Sequence, residues 1–429
     1  MVVMDDGGSG GPSRLARRLG TGDAVAIGLG AMIGAGVFAA FGPAARAAGD
    51  GLLVGLAVAA LVAYCNATSS AQLAAIHPES GGTYAYGRRR LGPFWGFLAG
   101  WGFVIGKLAS CAAMAITFAS YAAPSLTRPF AVGAVLALTA VNLRGVQKTV
   151  ALTKVIVAVV LASLALAVAA VWLGGTADIG RLSPLSGTTL QGVMQSAGLL
   201  FFAFAGYARL ATLGEEVIEP ARAIPRAIPI ALGIALIVYA AVAISALAGA
   251  GAASIAASSA PLATAVGSGR LASLVPAVRV GATVASLGAL LSLLVGVSRT
   301  VFAMASTRDL PAVLAAVHPR HQVPHRAELM VGAIVAIVAA VADIRYAIGF
   351  SSFAVLVYYA ITNAAALTLD RNQRRWPRGL AALGLLGCVA LAFTLPTASV
   401  IGGAAMMFAG AALYLVRRRL NRTETPAGR

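Results

Sequence analysis

A chain of 429 residues that is 59% hydrophobic and 11% charged, with a mean hydropathy of +0.87, is too apolar for a soluble domain; such domains run about 45–50% apolar and about 25% charged. Its formal charge of +18 lies mostly between apolar stretches, which argues against a nucleic-acid surface. Cys65, Cys111 and Cys388 all sit in apolar runs without metal spacing and read as buried small hydrophobes.

In chain order, residues 1–19 form a tail, Gly/Ser-rich at its start, predicted to be disordered. Stretches of about 20 apolar residues cross a bilayer, and twelve are predicted: 22–45, 51–75, 93–120, 129–143, 150–173, 189–212, 226–250, 276–305, 327–343, 346–369, 379–395 and 397–416. Residues 251–270, rich in Ala, Ser and Gly, suggest a short external helix, and 417–429 a second tail. With both termini in the cytoplasm, 24 of the 32 Lys and Arg fall in cytoplasmic segments and 6 in external ones, with Lys107 and Arg209 inside spans. That asymmetry supports a multi-pass protein of the cell membrane with both tails inside, its basic segments against anionic lipid. Residues 20–420 read as one transporter domain. Within it, 20–175 and 189–370 form two five-span repeats of opposite orientation, and 379–416 supply helices 11 and 12.

The first span of each repeat carries a break. Gly30 to Phe38 reads G-A-M-I-G-A-G-V-F, and Phe201 to Ala208 reads F-F-A-F-A-G-Y-A. Broken helices at membrane depth are tolerated only where protein or a water-filled cavity covers them. Paired breaks in corresponding positions point to the binding site of a secondary transporter. A helix stopping near Ala31 and restarting near Gly36 offers free N–H groups and a positive dipole end to a carboxylate. Gly34 and Gly36 let a ligand approach bare backbone; small-residue packing is the competing explanation. Unwinding around Ala205–Gly206 frees carbonyls that suit an ammonium, and Phe202 and Tyr207 are candidate aromatic gates. Donors on one side and acceptors on the other fit the two ends of an amino acid, and fit other small zwitterions or amines as well.

Ionisable residues inside spans are costly and functional by default. Lys107 lies at the centre of span 3. Lys154 lies near the start of span 5, where snorkelling to the interface competes with a buried role. Either is a candidate for proton coupling. Arg209 follows the second break and is a candidate partner of Glu215 or Glu216, or of the site itself. The loop from Glu215 to Arg226 is either a solvated salt-bridged loop or a cytoplasmic gate. Asp23, in G-T-G-D, reads as a helix N-cap. No metalloprotease, serine-hydrolase or phosphate-loop motif is present, and the four histidines show no metal spacing. Neither an enzyme nor a cofactor is implied.

Taken together, G-A-M-I-G-A-G-V-F, P-E-S-G-G-T-Y-A-Y (Pro78 to Tyr86), G-F-L-A-G-W (Gly96 to Trp101), and F-F-A-F-A-G-Y followed by E-E-V-I-E-P-A-R-A-I-P-R-A-I resemble the amino acid–polyamine–organocation transporter superfamily over residues 20–420. The resemblance implies an all-α membrane protein of the leucine-transporter fold: twelve transmembrane helices, two inverted five-helix repeats and two C-terminal helices. It places substrate at Ala31, Ile33, Gly34, Ala35 and Gly36, and at Phe202, Ala203 and Ala205, with Phe202 at the aromatic gate. It implies that Lys154, in T-V-A-L-T-K-V, is the lysine of proton-coupled members. Sodium-coupled relatives usually pair hydroxyl residues on span 8, whereas Ser286 and Ser292 stand apart here. Ala208 and Arg209 replace an acidic residue found in many relatives, which disfavours arginine or polyamine. The resemblance thus implies a secondary active, proton-coupled amino acid permease working by alternating access, with amino acid, protons and lipid as partners. A cationic amino acid or polyamine exchanger, and a non-transporting amino acid sensor of the same fold, are the rival readings.

Overall fold

The structure, a computed structural model, describes residues 19–34, 36–77, 81–145, 150–182, 188–211 and 217–423. The predicted tail ahead of residue 19, Ala35, Glu215 and Glu216 lie outside them. The described residues contain seventeen α-helices and no strand. In chain order these are α1 (Thr21–Met32), α2 (Gly36–Ala39), α3 (Phe41–Ala48), α4 (Leu52–Ile76), α5 (Thr83–Arg90) and α6 (Pro93–Ala122). Next come α7 (Thr127–Leu143), α8 (Val150–Leu173), α9 (Leu190–Phe204), α10 (Ala208–Ala211), α11 (Pro220–Ala257) and α12 (Pro261–Gly267). The last are α13 (Val275–Ser306), α14 (His325–Val341), α15 (Ile344–Leu367), α16 (Arg378–Thr394) and α17 (Thr397–Thr423).

Among the described residues, ten helical segments are long and apolar enough to cross a membrane. The predicted spans 327–343 and 379–395 coincide with α14 and α16, helices of 17 residues each. At 1.5 Å per residue each rises about 26 Å, slightly less than the roughly 30 Å of a hydrocarbon core. The predicted external helix in 251–270 is α12.

Local chemistry fixes several ends. Gly92, at φ 104°, turns the chain between α5 and α6, and Pro93 opens α6 where no N–H is needed. Thr189 accepts from the Gly192 N–H at the start of α9, and Asp343 from the Arg345 N–H at the start of α15. α6 is the most enclosed long helix and packs on both α13 and α15. Lys107 is therefore in the middle of the protein, at 6% exposure. α11 carries Pro225 and Pro229 near its start and a non-helical Gly251 near its end. The second half of the predicted loop Glu215–Arg226 is helical, because α11 already starts at Pro220.

Candidate functional site at the two helix breaks

Both breaks are present. α1 ends at Met32: Ile33 leaves the helical region at ψ 24°, and its N–H closes on the Leu29 carbonyl. The helix resumes as α2 at Gly36. The second break is tighter than the sequence suggested. α9 ends at Phe204, Ala205–Tyr207 form one 3-10 turn, and α10 follows. A 3-10 turn redirects carbonyls without releasing the whole backbone.

The breaks meet. A methyl group on Gly36 would sit 2.7 Å from the Ala203 Cα, and one on Gly206 would sit 2.6 Å from the Met32 nitrogen and closer still to the Ala31 carbonyl. Farther along, Gly28 abuts the Leu210 side chain, and the Ile218 N–H donates to the Leu19 carbonyl at 2.9 Å. As the number falls along α1 its partner's number rises, so the two broken segments run antiparallel. Only glycine at 36 and 206 permits this approach.

Tyr239, in the middle of α11, pins the junction. Its hydroxyl is within hydrogen-bond reach of the Met32 and Ala203 carbonyls, which share its one proton. The Ala205 carbonyl lies 3.4 Å from the Lys107 Nζ and 3.5 Å from the Tyr359 hydroxyl, both positioned to donate. The carbonyls anticipated as free therefore already have donors, because a buried acceptor without a partner is costly. Lys107 also lies 5.9 Å from the Phe103 ring centroid, a cation–π distance.

The remaining predicted residues divide. Ile33, Gly34, Gly36, Phe202, Ala203 and Ala205 are all buried at the junction, and Ala31 is half-buried there. Tyr207 is fully buried and stacks on Tyr359 with ring centroids 4.9 Å apart. Lys154 is elsewhere. Its Nζ pairs with the Asp23 carboxylate at 2.7 Å near the start of α1, and its side chain is 53% exposed, the snorkelled arrangement. Asp23 is not the N-cap. Gly20 is, and Asp23, three residues on, accepts the Gly20 N–H at 3.1 Å. Gly34 faces Ala285 and Ala289 of α13, while Ser292 bonds back to the Gly288 carbonyl. On the far side from Lys154, Tyr121 ties α12, α6 and α2 together. Its hydroxyl accepts from the Leu262 N–H and donates to the Phe38 carbonyl.

Tyr239 and Tyr359 were missed in the sequence. Tyr239 is a lone phenol in I-A-L-I-V-Y-A-A, and an isolated polar atom at mid-span is the signal that marks it. Among the described residues, no cluster of His, Cys, Asp and Glu is arranged to hold a metal.

The amino acid permease family model matches residues 19–416. The chain belongs to the amino acid permease family. It is a membrane-embedded transporter and not an enzyme. It is similar to an uncharacterised transporter of Mycobacterium tuberculosis, at 61% identity over 411 residues, covering 96% of this chain and 93% of that one. The branched-chain amino acid permease BcaP of Bacillus subtilis is 25% identical over 443 residues, covering 95% and 94%. The chloroplastic cationic amino acid transporter 7 of Arabidopsis thaliana is 26% identical over 409 residues, covering 87% of this permease and 69% of its own length.

Proposed function

We propose that this permease is a proton-coupled secondary transporter of amino acids, built on the twelve-span leucine-transporter arrangement with both termini in the cytoplasm. The observation that carries the reading is the meeting of two antiparallel broken segments under a single tyrosine hydroxyl. The substrate carboxylate docks on the backbone from Ala31 through Gly36, Ala35 included. The ammonium docks on the Ala203 and Ala205 carbonyls, and Phe202 closes over the occupied site with Tyr207 beside it.

Binding exchanges one donor set for another. Tyr239, Lys107 and Tyr359 occupy those carbonyls in the structure, and a substrate ammonium competes with them for the same acceptors. Lys107 and a cationic side chain would compete for the same region, so neutral amino acids are favoured over arginine or polyamines. The similarity to both a branched-chain permease and a cationic transporter leaves the family's range wide, and Lys107 narrows it for this chain.

Proton coupling is assigned to the two lysines. Lys154 holds α1 to α8 through Asp23, so loss of charge in that pair releases the start of α1. Lys107 holds the Ala205 carbonyl, so its proton bears directly on the site. Alanine residues of α13 facing Gly34 offer no side-chain oxygen to sodium, which favours protons.

The test is uptake of a panel of labelled amino acids in proteoliposomes, with and without an inward proton gradient, for wild type, Lys107→Met and Lys154→Met. Gradient-driven accumulation that either variant loses, with exchange retained, is the expected result. Accumulation indifferent to pH and to both lysines refutes the coupling. Saturable binding without flux of any amino acid supports the sensor reading instead.

A further inference from the structure

A second built site lies away from the helix breaks, on the outer face where α15 and α16 pack. A cavity of about 400 Å³ runs between them. Leu91 and Trp95 line one end, Ile361 and Leu385 the middle, and Phe353 and Phe393 the other end. On α15 the lining extends from Phe353 to Ala364, a rise of about 17 Å. Its walls are apolar. Trp95 is 44% exposed and Phe393 67%, so the trough opens sideways to the surroundings of the bundle, which for this chain is lipid.

The end that holds Leu91 and Trp95 is where two arginine-rich segments come together through Arg90 and Gln373. Arg88, Arg89 and Arg90 close α5 just before Leu91. The segment joining α15 to α16 adds Arg371, Arg374, Arg375 and Arg378 against one carboxylate, Asp370. Gln373 clamps the two segments together by accepting from Arg90 at 2.6 Å. Arg88 is spoken for by Asp309 at 2.7 Å. The Nε atoms of Arg90 and Arg374, in contrast, are buried and have no hydrogen-bond partner among the described residues. Each guanidinium carries five N–H donors, so both side chains keep donor capacity that no described residue takes up.

From these two features we infer that this face binds an anionic phospholipid. One acyl chain lies in the α15–α16 trough, and the headgroup phosphate accepts from Arg90 and Arg374. The apolar trough alone would accept any lipid chain, and the arginines alone any phosphate. Their continuity through Leu91 and Trp95 selects a molecule carrying both. Basic pockets between helices at a membrane face have the chemistry that anionic headgroups require.

The test uses the full-length protein in detergent with a photoactivatable phosphatidylglycerol probe, followed by peptide mapping. Crosslinks concentrated on α15 and α16 are expected. They are displaced by unlabelled phosphatidylglycerol at about tenfold lower concentration than by phosphatidylcholine, and not by inorganic phosphate. Arg90→Gln with Arg374→Gln should erase that tenfold preference while crosslinking persists. Ala360→Trp, which fills the trough, should remove the crosslinks altogether. Crosslinks spread evenly over the lipid-facing helices of the wild type overturn the inference without reference to any variant. Equal competition by the two lipids does the same. Displacement by inorganic phosphate shows a free-anion site and overturns it too.

Discussion

Replacing Gly206 by alanine puts a methyl group 2.6 Å from the Met32 nitrogen, where ordinary contact begins at 3.4 Å. The obstacle is backbone on both sides, since the Ala31 carbonyl is also in the way, and no side chain can rotate to relieve it. The two broken segments must separate by close to 1 Å. Overpacking of this kind costs about 1–3 kcal/mol, which lowers the population of the closed junction by a factor of about 5–160. Gly233→Ala is the matched control: it makes the same chemical change in α11, with nothing within 4 Å of the new methyl. Both variants are reconstituted, and initial uptake rates are measured against concentration for whichever amino acid the wild type carries. Gly206→Ala should raise the apparent KM or lower the maximal rate by about fivefold or more, with protein levels and melting of the bundle near wild type. Gly233→Ala should behave as wild type within about twofold. If the two variants transport alike, the contact between the breaks is not the site, and the carbonyl-exchange argument fails with it.

Two further outcomes are expected. Tyr239→Phe removes the hydroxyl shared by the Met32 and Ala203 carbonyls, and leaving buried acceptors short of a donor costs about 1–3 kcal/mol. Substrate affinity, measured by scintillation proximity, should shift by at least fivefold in either direction, because the substrate's own ammonium competes for Ala203; an unchanged affinity removes Tyr239 from the site. The Tyr84 hydroxyl donates to Asp309 at 2.6 Å. Burial first, and then that bond, push its pKa up from 10.0 to about 12. Its contribution is fully present below about pH 10 and is lost as pH rises through about 12, because the unfolded chain gives up the proton first. Asp309→Asn should flatten the alkaline fall in Tm between pH 10 and 12, and superimposable curves for the two proteins would show that the pair is electrostatically idle.

The helical, membrane-embedded architecture was legible in hydropathy, since burial in lipid demands long apolar runs whatever lies inside them. The first break was legible for the same kind of reason. Gly30, Gly34 and Gly36 are poor helix formers that only a functional or packing demand retains, and the chain leaves the helix within a residue of the predicted stop. Lys154 shows where local reading stops. Its depth allowed either a buried or a snorkelled side chain, and the choice rests on Asp23, more than a hundred residues away, at 2.7 Å. The second break was placed correctly but drawn too open. Its carbonyl partners come from α6, α11 and α15, and no pattern within Phe201–Ala208 encodes them. The trough between α15 and α16 was invisible for a similar reason: a pocket wall and a lipid-facing surface have the same apolar composition.

The Tyr239 hydroxyl belongs to a helix with a joint on either side of it. Pro225 and Pro229 remove two N–H groups from the ladder near one end, and Gly251, at φ 75° and ψ 159°, breaks it near the other. From Pro229 to Gly251 the intervening stretch of α11 is about 33 Å of stiff rod, with the phenol close to its midpoint. The phenol that closes the junction is therefore carried on a stiff segment bounded by two interruptions of its own hydrogen-bond ladder.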